Sequence, residues 1–460
     1  MASGKARGLL IDITPLRISP AFRRVFIARA VSLIGIGMLI VSVPVQMWDL
    51  TRSSFQVGVA TAVTGIATFV GMLVGGALAD RFDRRLLILT GRTAAALAFA
   101  GLALNAFGVF GGSPQVWLLY ALAGFDGLIG ALSAAALMAA VPTLIPREHL
   151  AAVGALSSLT VRLGTAISPG IAGAIIGTHG VGWTFTVAAV MATSTVLILL
   201  GLPSMPPHAE LADTPAPPTA DDADAPDEAV STPLDQREES PTGGGEAHRP
   251  APPSLAAFFR SSPVVLAVMV VGMLTMFAAG LVALLPAFVS ERFDDQAGSI
   301  GYLMAAMAAG ALIATLMSGW IAGVARPGVL LLTIAVASFA LIAVLGTVAA
   351  LWIALILALV IGFLDAVQEV VRYMLIQQHT PGPLLGRVNG IWMAQEVSGA
   401  TAGALAAGAI GSFWSAPTAV VYYGLALTAL GIVAAAVLGS LRTVRRYEPP
   451  KPAVTPATQP

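Results

Sequence analysis

The sequence predicts an all-α membrane protein: twelve transmembrane helices in two pseudo-symmetric six-helix bundles. Three observations predict it. Of 460 residues, 57% are hydrophobic and only 10% charged, a composition outside that of soluble globular domains. Apolar runs of about 20 residues recur along the chain, each long enough to cross a hydrocarbon layer about 30 Å thick as a helix. A long polar stretch divides these runs into six before and six after.

The first six spans are expected near 26–48, 56–79, 86–108, 116–143, 152–177 and 181–202, each bounded by charged, Pro-rich or Gly-rich breaks. The run from Phe26 is too long for the apolar core of a signal peptide and lacks a small-residue cleavage site, so it reads as a retained first helix. The second six are expected near 263–289, 298–324, 328–348, 351–376, 389–412 and 417–440. The domain plan is therefore an N-terminal bundle over 1–202, a linker over 203–260, a C-terminal bundle over 261–446 and a tail over 447–460. Within the linker, 206–253 is rich in Pro, Ala, Asp and Glu, too polar and proline-interrupted to bury a core, and reads as a disordered acidic tether. The segment SLAAFFR (254–260) is a candidate surface helix before span seven.

Charge placement sets the expected orientation. With both termini in the cytoplasm, inner segments hold eighteen of the 24 Lys and Arg, whereas outer loops hold only Arg52 and Arg292. That bias follows the positive-inside rule. The remaining four, Arg29, Arg92, Arg162 and Arg372, lie in or at the edges of spans. Equal totals of basic and acidic residues give no support for nucleic-acid binding. The absence of Cys excludes disulfides, thiolate metal sites and cysteine nucleophiles. The five His form no metal-like cluster, and no P-loop or catalytic triad is present, so neither a cofactor, a metal nor an enzyme is expected.

The loop after span two reads Gly76-Ala-Leu-Ala-Asp80-Arg81-Phe-Asp83-Arg84-Arg85. Gly76 permits close helix contact, Asp80 can meet the positive end of a neighbouring helix, and the arginines hold the turn in the cytoplasm. In span five, Gly164-Thr-Ala-Ile-Ser168-Pro169-Gly170-Ile-Ala172-Gly173 combines a helix-bending proline with small residues that allow tight packing. The first stretch resembles the G-x-L-A-D-R-x-G-R-K/R signature of the major facilitator superfamily, with Asp83 in place of the usual Gly. The second resembles that superfamily's antiporter motif, g-x-x-x-G-P-x-x-G-G. A weaker copy of the loop signature, Gly319 to Pro327 with Arg326, follows span eight, as a duplicated fold would leave it. Segments such as SPAFRRVFIARAVSLIGIGML, VPVQMWDLTRSSFQVG, FVGMLVGGALADRFDRR and LLGRVNGIWMAQEVSG are similar to the bacterial siderophore exporters of this superfamily, those of enterobactin, and to related drug efflux proteins. The resemblance implies a monomeric, proton-coupled antiporter that exports a siderophore, or an amphipathic drug, across the bacterial inner membrane by alternating access.

Ionisable groups within spans are costly and need a partner, a wet cavity or a function. Asp126 in span four and Arg162 in span five fall at similar mid-membrane depth, which makes them a candidate ion pair. Span ten carries Asp365, Gln368, Glu369 and Arg372 on one helical face. That face is expected to line the central cavity, with Glu369 paired to Arg372 and Asp365 freer to take a proton or polar substrate. Span eleven adds Gln395 and Glu396, and Trp392 with Met393 can stack on an aromatic substrate. The proton-coupling or ion-pair candidates are thus Asp126, Arg162, Asp365, Glu369, Arg372 and Glu396, and the substrate-cavity candidates Gln368, Trp392 and Gln395. Arg29 and Arg92 are expected to snorkel to the inner headgroups.

The favoured reading is export of an enterobactin-like catecholate siderophore. A multidrug or macrolide efflux pump is the alternative, and a non-transporting membrane sensor or assembly partner the remote one.

Overall fold

The computed structural model describes residues 14–79, 81–146, 149–205, 255–293 and 298–445. The amino-terminal 13 residues, the acidic stretch 206–254 and the tail from 446 lie outside the described residues, so the expectations for the linker and the tail are not addressed by it.

The described residues form helices and no strand. A short α1 (Thr14–Ile18) leads into α2 (Pro20–Thr51), α3 (Ser54–Ala79), α4 (Arg84–Ala106), α5 (Val116–Leu144), α6 (Leu150–His179) and α7 (Val181–Leu199). Within the last residues of the expected linker, where a short helix is expected over 254–260, stands α8 (Leu255–Ser261), followed by α9 (Pro263–Ala278), α10 (Leu285–Arg292), α11 (Gly298–Leu316), α12 (Pro327–Thr347), α13 (Leu351–His379), α14 (Gly382–Gly411), α15 (Ala416–Val437) and α16 (Gly439–Thr443).

Local chemistry explains the boundaries. Ser19 caps α2 by accepting from the Phe22 amide at 3.1 Å, and Pro20 fills a first-turn position where its missing N–H costs nothing. The same helix ends at Arg52, whose left-handed backbone (φ 48°) returns its amide to the Trp48 carbonyl. The expected single span 263–289 is instead broken: α9 passes into a 3-10 turn over Ala279–Ala283, then into α10 with Pro286 in its first turn. Proline cannot continue the hydrogen-bond ladder of the preceding turn, which accounts for the break.

Among the described residues, eleven helices are long and apolar enough to cross a membrane. The thirty-residue α14 stands in the place of the twelfth, its apolar character diluted by Arg387, Asn389, Gln395 and Glu396. Large apolar side chains such as Leu73, Leu97, Val190, Leu316 and Val437 point outward, as a lipid-facing surface requires.

The packing repeats between halves. In the first, α3 and α4 both pack on α5, and α4 on α7; in the second, α11 and α12 pack on α13, and α12 on α15. The halves meet along α3 against α14 and α6 against α11, two contacts that exchange under the same correspondence. Small residues let those backbones touch. A Cβ on Gly408 would stand 2.6 Å from the Ser54 carbonyl oxygen, and one on Gly173 would stand 2.6 Å from that of Gly298. Both contacts lie toward the end of the bundle away from the chain termini. Toward the terminus end, Gly76 of α3 and Gly386 and Gly390 of α14 face open space.

Candidate functional site

A cavity of about 450 Å³ lies between the halves. Helices α2, α3, α4 and α5 supply most of its wall, closed on the other side by Val282, Val397, Ala400 and Thr401. The lining is chiefly apolar (Ile36, Leu39, Val43, Phe99), with polar groups at a few positions: Ser32, Thr61, Thr64, Thr68, Arg92, Asp126 and Thr401. Concave apolar walls with a few placed polar groups are the usual form of a small-molecule site.

The charged centre is Arg92 with Asp126. Both line the cavity and attract one another electrostatically. Arg92 is buried and donates from Nη1 to Ser32 Oγ, while its Nε has no hydrogen-bond partner. Arg29 is near enough to repel Arg92. The expectation that Arg92 snorkels to the headgroups is therefore corrected: its position on α4 turns it inward, where Asp126 offsets its desolvation. The side chain of Arg162 lies outside the described residues, so the described electrostatic partner of Asp126 is Arg92.

The span-ten group sits elsewhere. None of Asp365, Gln368, Glu369 and Arg372 lines the described cavity, although they share one region of α13. Asp365, expected to be free, accepts from Ser338 Oγ at 2.7 Å and Gln368 Nε2 at 3.2 Å, and Gln368 in turn accepts from Thr275 at 2.9 Å. These bonds join α9, α12 and α13. Arg372 is 1% exposed, and its guanidinium lies 4.5 Å from the centre of the Trp392 ring. Glu396 and then Glu369 attract it electrostatically. Trp392 Nε1 donates to Glu396 Oε1 at 2.6 Å.

The three substrate-cavity candidates Gln368, Trp392 and Gln395 are likewise buried away from the described cavity, Gln395 donating to the Met269 carbonyl. Glu396 is exposed, and its turn of α14 precedes the cavity-lining Val397 and Ala400.

The two motifs occupy structural joints. Ser168 is fully buried against Gly37 of α2. A Cβ on Gly170 would meet Ala305 of α11, and Gly164 packs on Leu33. The antiporter-like motif, with Pro169 inside α6, therefore wedges α6 between its own half and α11 of the other. In the loop motif, Asp80 lies outside the described residues and Arg81 is exposed.

Arg84 donates its amide to the Met205 carbonyl, and Arg85 Nη2 donates to the Leu200 carbonyl at 3.1 Å. Asp83 caps α4 through the Arg85 amide at 2.7 Å and also accepts from Ser204 Oγ and the Met205 amide. The residue that departs from the signature thus fastens the chain leaving α7 to this loop.

Sequence reasoning singled out Asp126 but not the hydroxyl-bearing wall. Thr61, Thr64 and Thr68 recur at helical spacing on α3, a signal available in the sequence. Ser32 and Phe99 offered no comparable signal.

Comparison with known proteins bears on this arrangement. The family model described as Major Facilitator Superfamily matches residues 25–324 and 278–460. The chain is 36% identical over 443 residues to Enterobactin exporter EntS of Citrobacter koseri, covering 96% of this chain and 97% of that protein. It is 37% identical over 444 residues to the protein of the same name in Shigella boydii, with the same coverage. Among solved structures, the nucleoside transporter NupG aligns with a TM-score of 0.66 at 11% identity, covering 92% of this chain and 99% of that one. A POT family transporter in complex with 5-aminolevulinic acid aligns with a TM-score of 0.66 at 11% identity, covering 92% and 97%. At such low identity these two likenesses speak for the fold alone.

Proposed function

The chain belongs to the Major Facilitator Superfamily, and on that premise we propose that this multi-pass secondary transporter exports a catecholate siderophore of the enterobactin kind across the bacterial cytoplasmic membrane. The observation that carries the substrate reading is likeness to enterobactin exporters sustained over 96% of the chain.

The cavity supplies a route. With both termini cytoplasmic, the packed end of the α3–α14 and α6–α11 contacts faces outward, and the open glycines Gly76, Gly386 and Gly390 face the cytoplasm. The conformation is then inward-facing, with substrate entering from the cytoplasm. A proton arriving from outside in the alternate conformation neutralises Asp126, removes its attraction for Arg92 and changes the relative stability of the two conformations. Glu396, beside the cavity-lining turn of α14, and the Arg372 cluster form a second group of charges in the other half. One copy of the chain holds the whole cavity, in keeping with a monomeric transporter.

Secretion analysis tests this reading. Under iron limitation, a strain lacking this chain should retain metal-free siderophore inside the cell, and the wild-type chain should restore secretion measured by mass spectrometry. Unchanged secretion would overturn it. The apolar wall formed by Ile36, Leu39, Val43 and Phe99 supports a second reading, efflux of amphipathic drugs or macrolides. That reading requires the same deletion to lower drug resistance.

A further inference from the structure

We propose that the terminus-side end of the first bundle holds a site for an anionic phospholipid, whose phosphate is gripped by Arg24 and Arg85 while its acyl chains lie along the lipid-facing sides of α2, α4 and α7. The inference concerns the bilayer side of the protein and does not depend on which substrate the cavity carries.

The observation behind it is the way two guanidinium groups are fixed. Arg24, at the start of α2, donates from Nη1 to the Gly201 carbonyl, and Arg85, at the start of α4, donates from Nη2 to the Leu200 carbonyl at 3.1 Å. The two acceptors are consecutive carbonyls just beyond α7, where the unsatisfied C=O groups and the negative end of the helix dipole favour cations. Glycine at 201 makes room for the first contact, since a Cβ there would stand 2.6 Å from Arg24 Nη1. Each bond occupies one N–H of a group that carries several, and Arg85 Nε has no hydrogen-bond partner. Two long side chains that would otherwise lose rotamer freedom on binding a ligand are thus already held beside one another, with donors to spare.

The surrounding charge has the same sign. Arg23 and Arg81 are exposed at this end of the bundle. The carboxylate of Asp83, in the same junction, is already engaged by Ser204 Oγ and by the Met205 and Arg85 amides.

What lies beside the arginines identifies the ligand. Ile27 and Leu197, one turn deeper into the bundle on α2 and α7, and Leu86 on α4 are apolar and exposed. Three helices therefore offer apolar side chains to the hydrocarbon next to a pair of oriented cations. A water-soluble anion gains nothing from that surface. A phospholipid matches both parts, its phosphodiester oxygens accepting from the guanidinium forks and its chains covering Ile27, Leu86 and Leu197. A zwitterionic headgroup brings a cation of its own toward the arginines, so the site favours a lipid with net negative charge.

Lipid binding to the full-length protein in detergent, followed by native mass spectrometry, tests the proposal with three probes. These are phosphatidylglycerol, phosphatidylcholine with the same acyl chains, and inorganic phosphate. The wild type is expected to bind phosphatidylglycerol about tenfold or more tightly than phosphatidylcholine, and an excess of inorganic phosphate should not displace it. Arg24→Gln with Arg85→Gln should bring phosphatidylglycerol down to the affinity of phosphatidylcholine. Arg81→Gln, which removes an exposed charge of the same loop that holds no α7 carbonyl, should leave the preference in place. Equal affinity for the two lipids, displacement by inorganic phosphate, or as large a loss in Arg81→Gln as in the double variant overturns the proposal. Both arginines also cap α7, so the variants are paired with a measurement on the wild type alone: a photoreactive phosphatidylglycerol should label peptides from the starts of α2 and α4 ahead of other lipid-facing segments. Labelling spread evenly around the two bundles overturns the proposal as well.

Discussion

Arg372 and Trp392 are stacked, the guanidinium 4.5 Å from the ring centre, and the same indole donates its N–H to Glu396 at 2.6 Å. One side chain on α14 thereby links a buried cation on α13 to an exposed carboxylate beside the cavity-lining turn. A buried guanidinium without hydrogen-bond partners depends on such a ring and on nearby carboxylates for its stability. Trp392→Leu is expected to cost about 2 kcal/mol, whereas Trp392→Phe, which keeps a ring but loses the N–H, should cost about half as much. Thermal unfolding in detergent, with Arg372→Met in a double-mutant cycle, checks the ranking. Equal losses in the two variants would contradict a role for the stack.

The Arg92–Asp126 pair makes a different prediction. Asp126→Asn removes the titrating group but preserves shape, so it should abolish substrate accumulation driven by a proton gradient while leaving gradient-free counterflow. Arg92→Gln leaves Asp126 in the cavity without its cation, and it should weaken counterflow and gradient-driven accumulation alike, because a buried charge stripped of its partner destabilises the cavity. Counterflow and gradient-driven uptake measured across a pH series separate the two variants.

Asp83 governs stability at the junction of the first loop with the linker. Burial pushes its pKa up, but hydrogen bonds from Ser204 and from the Met205, Arg85 and Leu86 amides outweigh this and hold it below the usual carboxylate range. A carboxylate depressed in the folded state contributes stability that is fully present above its unfolded value and is lost as pH falls through the folded one. Asp83→Ala should therefore cost about 1 kcal/mol at neutral pH through loss of the cap alone. The difference from wild type should shrink below about pH 4, as unfolding midpoints compared at pH 7 and at pH 3 would reveal.

Close backbone contact holds the halves together at the end away from the termini. A Cβ on Gly58 of α3 would stand 2.5 Å from the Ala404 carbonyl oxygen on α14, so Gly58→Val should force that end apart. The chain contains no cysteine, so one introduced at Ala62, buried one turn along the same face of α3, can be labelled selectively. Its modification rate should rise about tenfold with the valine, since a shift of about 1.4 kcal/mol in the conformational equilibrium is enough. An unchanged rate would mean that the contact does not govern opening.

Much of this architecture was legible in the sequence, because the membrane restricts a spanning chain to so few backbone solutions. Most span boundaries fell within a few residues of the observed helices; the exceptions are the break at Ala279–Ala283 ahead of Pro286, the earlier starts of α2 at Pro20 and α14 at Gly382, and the end of α11 at Leu316, where a 3-10 turn over Ser318–Gly323 follows. The site was legible only in part. Asp126 announced itself as a carboxylate in an apolar run, but depth along a helix does not reveal which way a neighbouring helix turns. Arg92 therefore read as a headgroup contact until rotation about α4 placed it in the cavity.

The charges on α13 share a helical face as their spacing implied, but that face packs on α9 and α12 and finds Ser338 and Thr275 there. No one-dimensional pattern identifies such partners. Asp83 likewise read only as a departure from the loop signature, because its partners Ser204 and Met205 are more than a hundred residues away.

The central claim is that the Arg92–Asp126 cavity exchanges protons for a metal-free siderophore. Its most direct test is uptake of a metal-free catecholate siderophore into inside-out membrane vesicles with an acid interior. Accumulation is expected to collapse with a protonophore and to be lost in Asp126→Asn. Accumulation indifferent to both, or none at all in vesicles containing the wild-type chain, would contradict it.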